Sequence, residues 1–110
     1  MSVIMMNEEA PNVVGAWTHS YEEDTDAMAV YRPDDFAFRP SRRPRRGMEF
    51  HPDGTFVEWL PGPDDRPRKI VGHWERQGAD RIRITFPGGP GQPFVLTVVS
   101  RENDQLAFAK

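Results

Sequence analysis

Arg46-Gly47-Met48-Glu49-Phe50-His51-Pro52-Asp53-Gly54-Thr55-Phe56-Val57-Glu58-Trp59-Leu60 is the stretch from which the fold is read. Two runs of alternating character flank His51-Pro52-Asp53-Gly54-Thr55, in which Pro presets φ, Asp favours the turn and Gly takes the left-handed position of a three-residue hairpin loop. If His51 pairs with Thr55, then Phe50 faces Phe56, Met48 faces Glu58 and Arg46 faces Leu60 on one side, while Gly47, Glu49, Val57 and Trp59 share the other. The first side is the more apolar, so Met48, Phe50, Phe56 and Leu60 are expected to point into a core.

The same period of two recurs along the chain, and no stretch sustains a period near 3.6. Eight short strands are expected, at 12–19, 27–31, 46–51, 55–60, 70–76, 81–86, 94–99 and 105–109. Gly78-Ala79-Asp80 and Glu102-Asn103-Asp104 read as further tight hairpin turns. Alternation turns Ile82, Ile84, Phe86, Phe94, Leu96 and Val98 inward and Arg81 and Arg83 to water. Pro (11) and Gly (9) are too frequent for a helical bundle. Successive short strands joined by hairpins are best closed into an all-β, eight-stranded antiparallel up-and-down barrel, because closure removes exposed edges. A β-sandwich is the alternative. At 110 residues the chain is read as a single domain, 1–110, with a short N-terminal tail.

Composition narrows the function classes. The absence of cysteine removes disulfide frameworks, thiolate nucleophiles and Cys-based zinc sites. No stretch reaches the length of a membrane-spanning helix and the N-terminus lacks a signal-peptide pattern, so a cytoplasmic protein without membrane contact is expected. The net charge of −3 argues against nucleic acid as a partner of the whole domain, but it hides an asymmetry. Residues 1–31 carry six acids and no Lys or Arg, whereas 32–110 carry 11 acids against 14 bases, so the two parts should attract each other.

Val13-Val14-Gly15-Ala16-Trp17 opens the first strand and Ile70-Val71-Gly72-His73-Trp74 opens the fifth. A Gly-x-Trp on the first strand of an eight-stranded barrel, here repeated at mid-chain, resembles the lipocalin-like (calycin) proteins. In that family the Trp plugs one end of the barrel and the Gly allows close packing. The resemblance implies binding of small, mainly apolar molecules inside the barrel, although related barrels also act as protease inhibitors or cyclases. The family's late Arg, which packs over the first Trp, has no clear match: Arg101 falls between the last two expected strands.

Loop lengths bear on where a ligand enters. With connections alternating between the two ends, the short turns share one end with loop 19–26, and the long loops 32–45, 61–69 and 87–93 share the other with the tail. Ten of the eleven prolines, all except Pro52, then gather at the long-loop rim, where binding residues most often lie. Loop 32–45 carries Phe36, Phe38 and the run Arg39-Pro40-Ser41-Arg42-Arg43-Pro44-Arg45 leading into Arg46. This basic, aromatic loop is expected to pair with acids among Glu22, Glu23, Asp24, Asp26, Asp34 and Asp35; Arg42 or Arg43 could also hold an anionic headgroup, and single-stranded nucleic acid is the further alternative.

Glu58 is the most informative polar position, since the hairpin register sets it on the inner face beside Met48 and diagonal to Arg46. Such a carboxylate is either raised in pKa and useful for acid–base work or held ionised by the arginine. His19 and His51 are placed at the short-turn end and His73 points away from Trp74, so the histidines do not converge and no metal is expected. Ser20, Ser41 and Ser100 lack a nucleophile motif, Tyr21 and Tyr31 could donate to a carbonyl ligand, and no cofactor is expected. The function expected is non-enzymatic binding of a small hydrophobic or amphipathic molecule, with Trp17, Tyr31, Phe38, Arg42, Arg43, Arg46, Met48, Phe50, Glu58 and Trp74 as candidate ligand-binding residues. The alternatives are a cyclase or isomerase using Glu58, and an interaction or inhibitor module using the long loops. Outward Val57, Trp59, Val71, Val95 and Val99 suggest a homodimer through the barrel wall, unless Tyr21, Phe36, Met5 or Met6 cover it.

Overall fold

A computed structural model describes residues 11–62, 66–89 and 91–110. Its strands are β1 (Gly15–His19), β2 (Met28–Pro33), β3 (Gly47–Phe50), β4 (Thr55–Leu60), β5 (Arg68–Arg76), β6 (Arg81–Thr85), β7 (Phe94–Glu102) and β8 (Gln105–Ala109), with one 3-10 turn at Tyr21–Glu23. The β3–β4 hairpin has the register read from its sequence: Phe50 opposes Phe56, Met48 opposes Glu58 and Gly47 opposes Trp59. His51 and Thr55 close the loop through a 2.9 Å backbone bond, and Gly54 sits at φ +93.

The strands form a closed barrel in the order β1-β2-β8-β7-β6-β5-β4-β3, with every neighbouring pair antiparallel. The wall is thus up-and-down all the way round, and not a sandwich. From β3 to β8 each strand is followed by its neighbour, whereas β1 lies between β2 and β3. Because β2 and β3 both run antiparallel to β1, they point the same way, so segment 34–46 travels the full height of the barrel across β1.

That crossing corrects the assignment of loops to ends. The turn 20–27 lies with residues 61–62, 66–67, 86–89 and 91–93 at one end, called the mouth, where His19 N–H donates to Arg46 and Lys110 N–H to Ala27. Residues 11–14 lie instead with the three short hairpin turns, where Arg101 Nε donates to the Asn12 carbonyl (2.8 Å) and Arg76 reaches Pro11. Pro11 is therefore not at the rim, and Pro33 ends β2 at the far end. Met5, Met6, Pro63 and Pro90 lie outside the described residues.

Inward alternation fills the barrel below the mouth. Phe50, Phe56, Ile82, Ile84 and Leu106 are at most 1% exposed, and Phe50, Phe56, Trp74, Phe86 and Phe94 meet with ring centroids 5.3–6.5 Å apart. Close approach explains Gly72 of the second Gly-x-Trp: a Cβ there would stand 2.7 Å from Phe86 Cδ1. Trp17 Nε1 donates to the Val13 carbonyl (2.9 Å), so the indole and the buried Val13 close the far end.

Arg101 is placed differently from its sequence reading. β7 extends to Glu102, and a register shift between Val98 and Ser100 sets Arg101 opposite Leu106, on the inner face. Its guanidinium lies 4.8 Å above the centre of the Trp17 ring. Val57 also departs from expectation. Its register gives it the outer face opposite Glu49 and Val71, yet it is buried, flanked by the diagonal hydrogen bond from Trp59 Nε1 to Glu49 (2.5 Å). Among the described residues the exposed large apolar side chains are Val14, Val71, Val95 and Val99, and no helix is long and apolar enough to cross a membrane. Tyr21 and Phe36 do not cover this part of the wall; they lie under Arg43 and Arg32 respectively.

Candidate functional site

Crossing the barrel brings the arginine-rich segment to the acidic turn that follows β1. Arg45 grips Glu22 through both of its terminal nitrogens (2.8 and 2.6 Å), and Arg32 grips Glu23 (2.8 and 2.6 Å). These guanidinium bonds hold each carboxyl down at about 2. Arg45 also donates to the His19 carbonyl (3.0 Å) and lies over the rings of Tyr21 (4.7 Å) and Phe38 (4.6 Å). The attraction read between the acidic first part of the chain and the basic loop is therefore realised, with Arg45 and Arg32 as the partners that make it.

The mouth of the barrel holds an open pocket of about 600 Å³. Its floor and one wall are Ala29, Tyr31 and His19 from β1 and β2; its rim carries Tyr21, Arg43, Arg46 and Lys110. The volume is that of a small-molecule site. Arg43 stacks over Tyr21 at 4.0 Å, which aims a cation across the opening from an aromatic base. His19 and Tyr31, directly paired across β1 and β2, stack at 4.9 Å with 23° between their planes.

Asp24 lines the pocket, and Glu58 lies near it on β4. Asp24 receives His19 Nε2 on both oxygens (2.9 and 3.1 Å), accepts the Val30 amide (2.8 Å) and has the Lys110 ammonium 3.8 Å away. Glu58, half-buried on the inner face of β4, has no ion pair within 4 Å among the described residues, and burial pushes its pKa up against the opposing pull of Arg46. Burial also pushes the Tyr31 hydroxyl up to about 12; Arg46 opposes this, and the charge of Glu58 adds to it. Tyr31 is thus a neutral hydrogen-bond donor at ordinary pH.

The residues read as ligand-binding from sequence divide into three groups. Tyr31, Arg43 and Arg46 line the mouth pocket, with Glu58 near enough for Tyr31 and Arg46 to feel it. Met48, Phe50 and Trp17 are in the packed core, and Trp74 packs against Phe50 while its Nε1 donates to the His51 carbonyl at the closed end (2.9 Å). Phe38 lies under Arg45, and Arg42 is exposed on the crossing segment.

His19, Asp24 and Lys110 belong to the pocket but were not read as site residues. Alternating connections set His19 at the short-turn end only if 32–45 begins and ends at one rim, and instead that segment crosses the barrel. Its length was the available signal, since a segment of that size can span ~40 Å when extended. His51 bonds Glu49 at the closed end (2.9 Å) and His73 is exposed on the wall, and among the described residues no three His, Asp or Glu gather as a metal site. A second, smaller cleft of about 230 Å³ lies outside the wall between Trp59, Glu49 and the crossing segment at Asp34 and Arg45. No protein-family model, curated protein or solved structure matches this chain.

Proposed function

We propose that this barrel binds a small amphipathic molecule at its mouth, with the polar end among Arg43, Arg46 and Lys110 and the apolar part against Tyr31 and the ring-lined interior below. The observation that carries the reading is the open pocket of about 600 Å³ with an aromatic wall and a cationic rim. The packed interior limits how deep the ligand enters, because Phe50, Phe56 and Ile84 leave almost no exposed surface beneath it. Three cations against Asp24 favour an anionic headgroup over a neutral one. A lipocalin-like reading of the fold supports the same function. Trp17 and Trp74 lie toward the end opposite the pocket, and Arg101 covers Trp17 as the late arginine of that family does.

Titration with 1-anilinonaphthalene-8-sulfonate, which joins aromatic rings to one sulfonate, tests this directly. Saturable fluorescence enhancement is expected, and Arg46→Gln should weaken binding by about tenfold or more, the loss of one charge-assisted contact. Arg83→Gln on the outer wall should leave it unchanged. Non-saturable binding, or an equal affinity for the Arg46 variant, would overturn the proposal.

A further inference from the structure

We propose that the same pocket carries general-base chemistry: His19, oriented by Asp24, takes a proton from carbon in a small planar molecule held in the pocket, and the negative charge left behind faces Arg46. The inference goes beyond binding but rests on the mouth pocket as the place where the molecule sits. Its basis is a fixed pair of groups. Asp24 holds Nε2 of His19 at 2.9 Å while its own position is fixed by the Val30 amide at 2.8 Å. A carboxylate on Nε2 selects the tautomer that carries its hydrogen there and leaves the Nδ1 lone pair free to accept a proton.

The ring cannot easily turn away from that duty. It stacks on Tyr31 at 4.9 Å, meets the edge of Tyr21 at 6.1 Å, and the two side chains of the pair are 19% and 17% exposed. Holding the turn after β1 does not require this pair, because Ser20 bonds Glu23 (2.7 Å), Glu23 bonds Arg32 and Glu22 bonds Arg45. The charged and titratable groups around the imidazole are Asp24 and Tyr21 from the turn, Tyr31 from β2, Arg43 and Arg46 from the crossing segment, and Lys110 beyond β8, with Glu58 deeper on β4. An oriented base beside cations that can receive developing negative charge is an arrangement for proton abstraction.

The step balances without a co-reactant. The C–H bond breaks, the proton goes to Nδ1 and later to water, and the electron pair stays on the substrate or expels a leaving group bonded within it. 5-Nitrobenzisoxazole reports this in one step: its ring C–H loses the proton to the base, the N–O bond breaks, and a coloured cyanonitrophenolate forms. The full chain is expected to exceed free imidazole at equal concentration by about a hundredfold, the lower range of positioned bases. His19→Gln should return the rate to background, while His73→Gln on the outer wall keeps it.

Asp24→Asn should lower kcat and leave KM unchanged, because the amide orients the ring less firmly while the pocket that receives the molecule is kept. This readout still decides the matter if His19→Gln does not fold. A rate that survives His19→Gln, a loss that follows Glu58→Gln instead, or a kcat unmoved by Asp24→Asn overturns the proposal. A nitrobenzisoxazole that fails to react, whether or not it displaces the anilinonaphthalene probe, overturns the base and leaves the binding reading standing; a probe that does not bind saturably overturns both.

Discussion

At Glu58 burial and charge pull in opposite directions, and burial is the larger influence. A carboxyl whose folded pKa lies above its unfolded value adds stability only while protonated; that stability is complete below the unfolded pKa and lost as pH rises through the folded one. Glu58→Gln imitates the protonated form. The variant is therefore expected to unfold at higher urea than the parent at about pH 7 and at the same urea at about pH 4. Glu22 and Glu23, held near 2 by their arginines, change both proteins alike and cancel in the comparison. An equal difference between parent and variant at both pH values would refute the account. The inner position of Glu58 was legible because the Pro-Asp-Gly turn sets the register of β3 on β4. Its lack of an ion pair was not, since a strand register places Arg46 on a face without saying where a long side chain ends.

Among the elements, β7 shows most clearly where reading by alternation fails. Alternation is kept from Phe94 to Val98, and one extra residue then changes which side faces in. A bulge leaves little mark in a run such as Val98-Val99-Ser100-Arg101, where either face can be read as inward. Alternation alone therefore leaves Arg101 between the last two strands, although it covers Trp17 and ties down Asn12. Arg101→Ala should lose a cation–π contact and one hydrogen bond, together about 1–2 kcal/mol. A lowered urea midpoint with a red-shifted tryptophan emission is the expected result, and Arg101→Lys should recover only part, lacking the planar fork. Unchanged stability in the alanine variant would mean that the closed end is held by Val13 and Trp17 alone.

For the whole molecule, closure depends on partners far apart in sequence: Met28 pairs with Ala109 and Tyr31 with Leu106. A variant lacking residues 105–110 loses the buried Leu106 and Phe108 and leaves β2 and β7 with open edges. Each such side chain is worth about 2–5 kcal/mol, so together they approach the whole stability of a small domain. Loss of cooperative unfolding and aggregation in size-exclusion chromatography are expected; a monomeric, cooperatively folding product would contradict it. The eight strands and closed wall were legible because each run carries its own period and most turns carry their own chemistry. The position of β1 between β2 and β3 was not, because pairing order is decided by which distant strands fit side by side, and no local pattern records it.

Strand polarity also decides where the chain enters and leaves the barrel wall. The chain enters β1 at the plugged end beside Arg101, and it leaves β8 at the mouth, where Lys110 is itself part of the pocket rim. An affinity tag or fluorescent protein joined after residue 110 would therefore stand at the doorway of the pocket, whereas the same protein inserted in the exposed turn at Gly78 would hang from the opposite pole and leave that doorway clear.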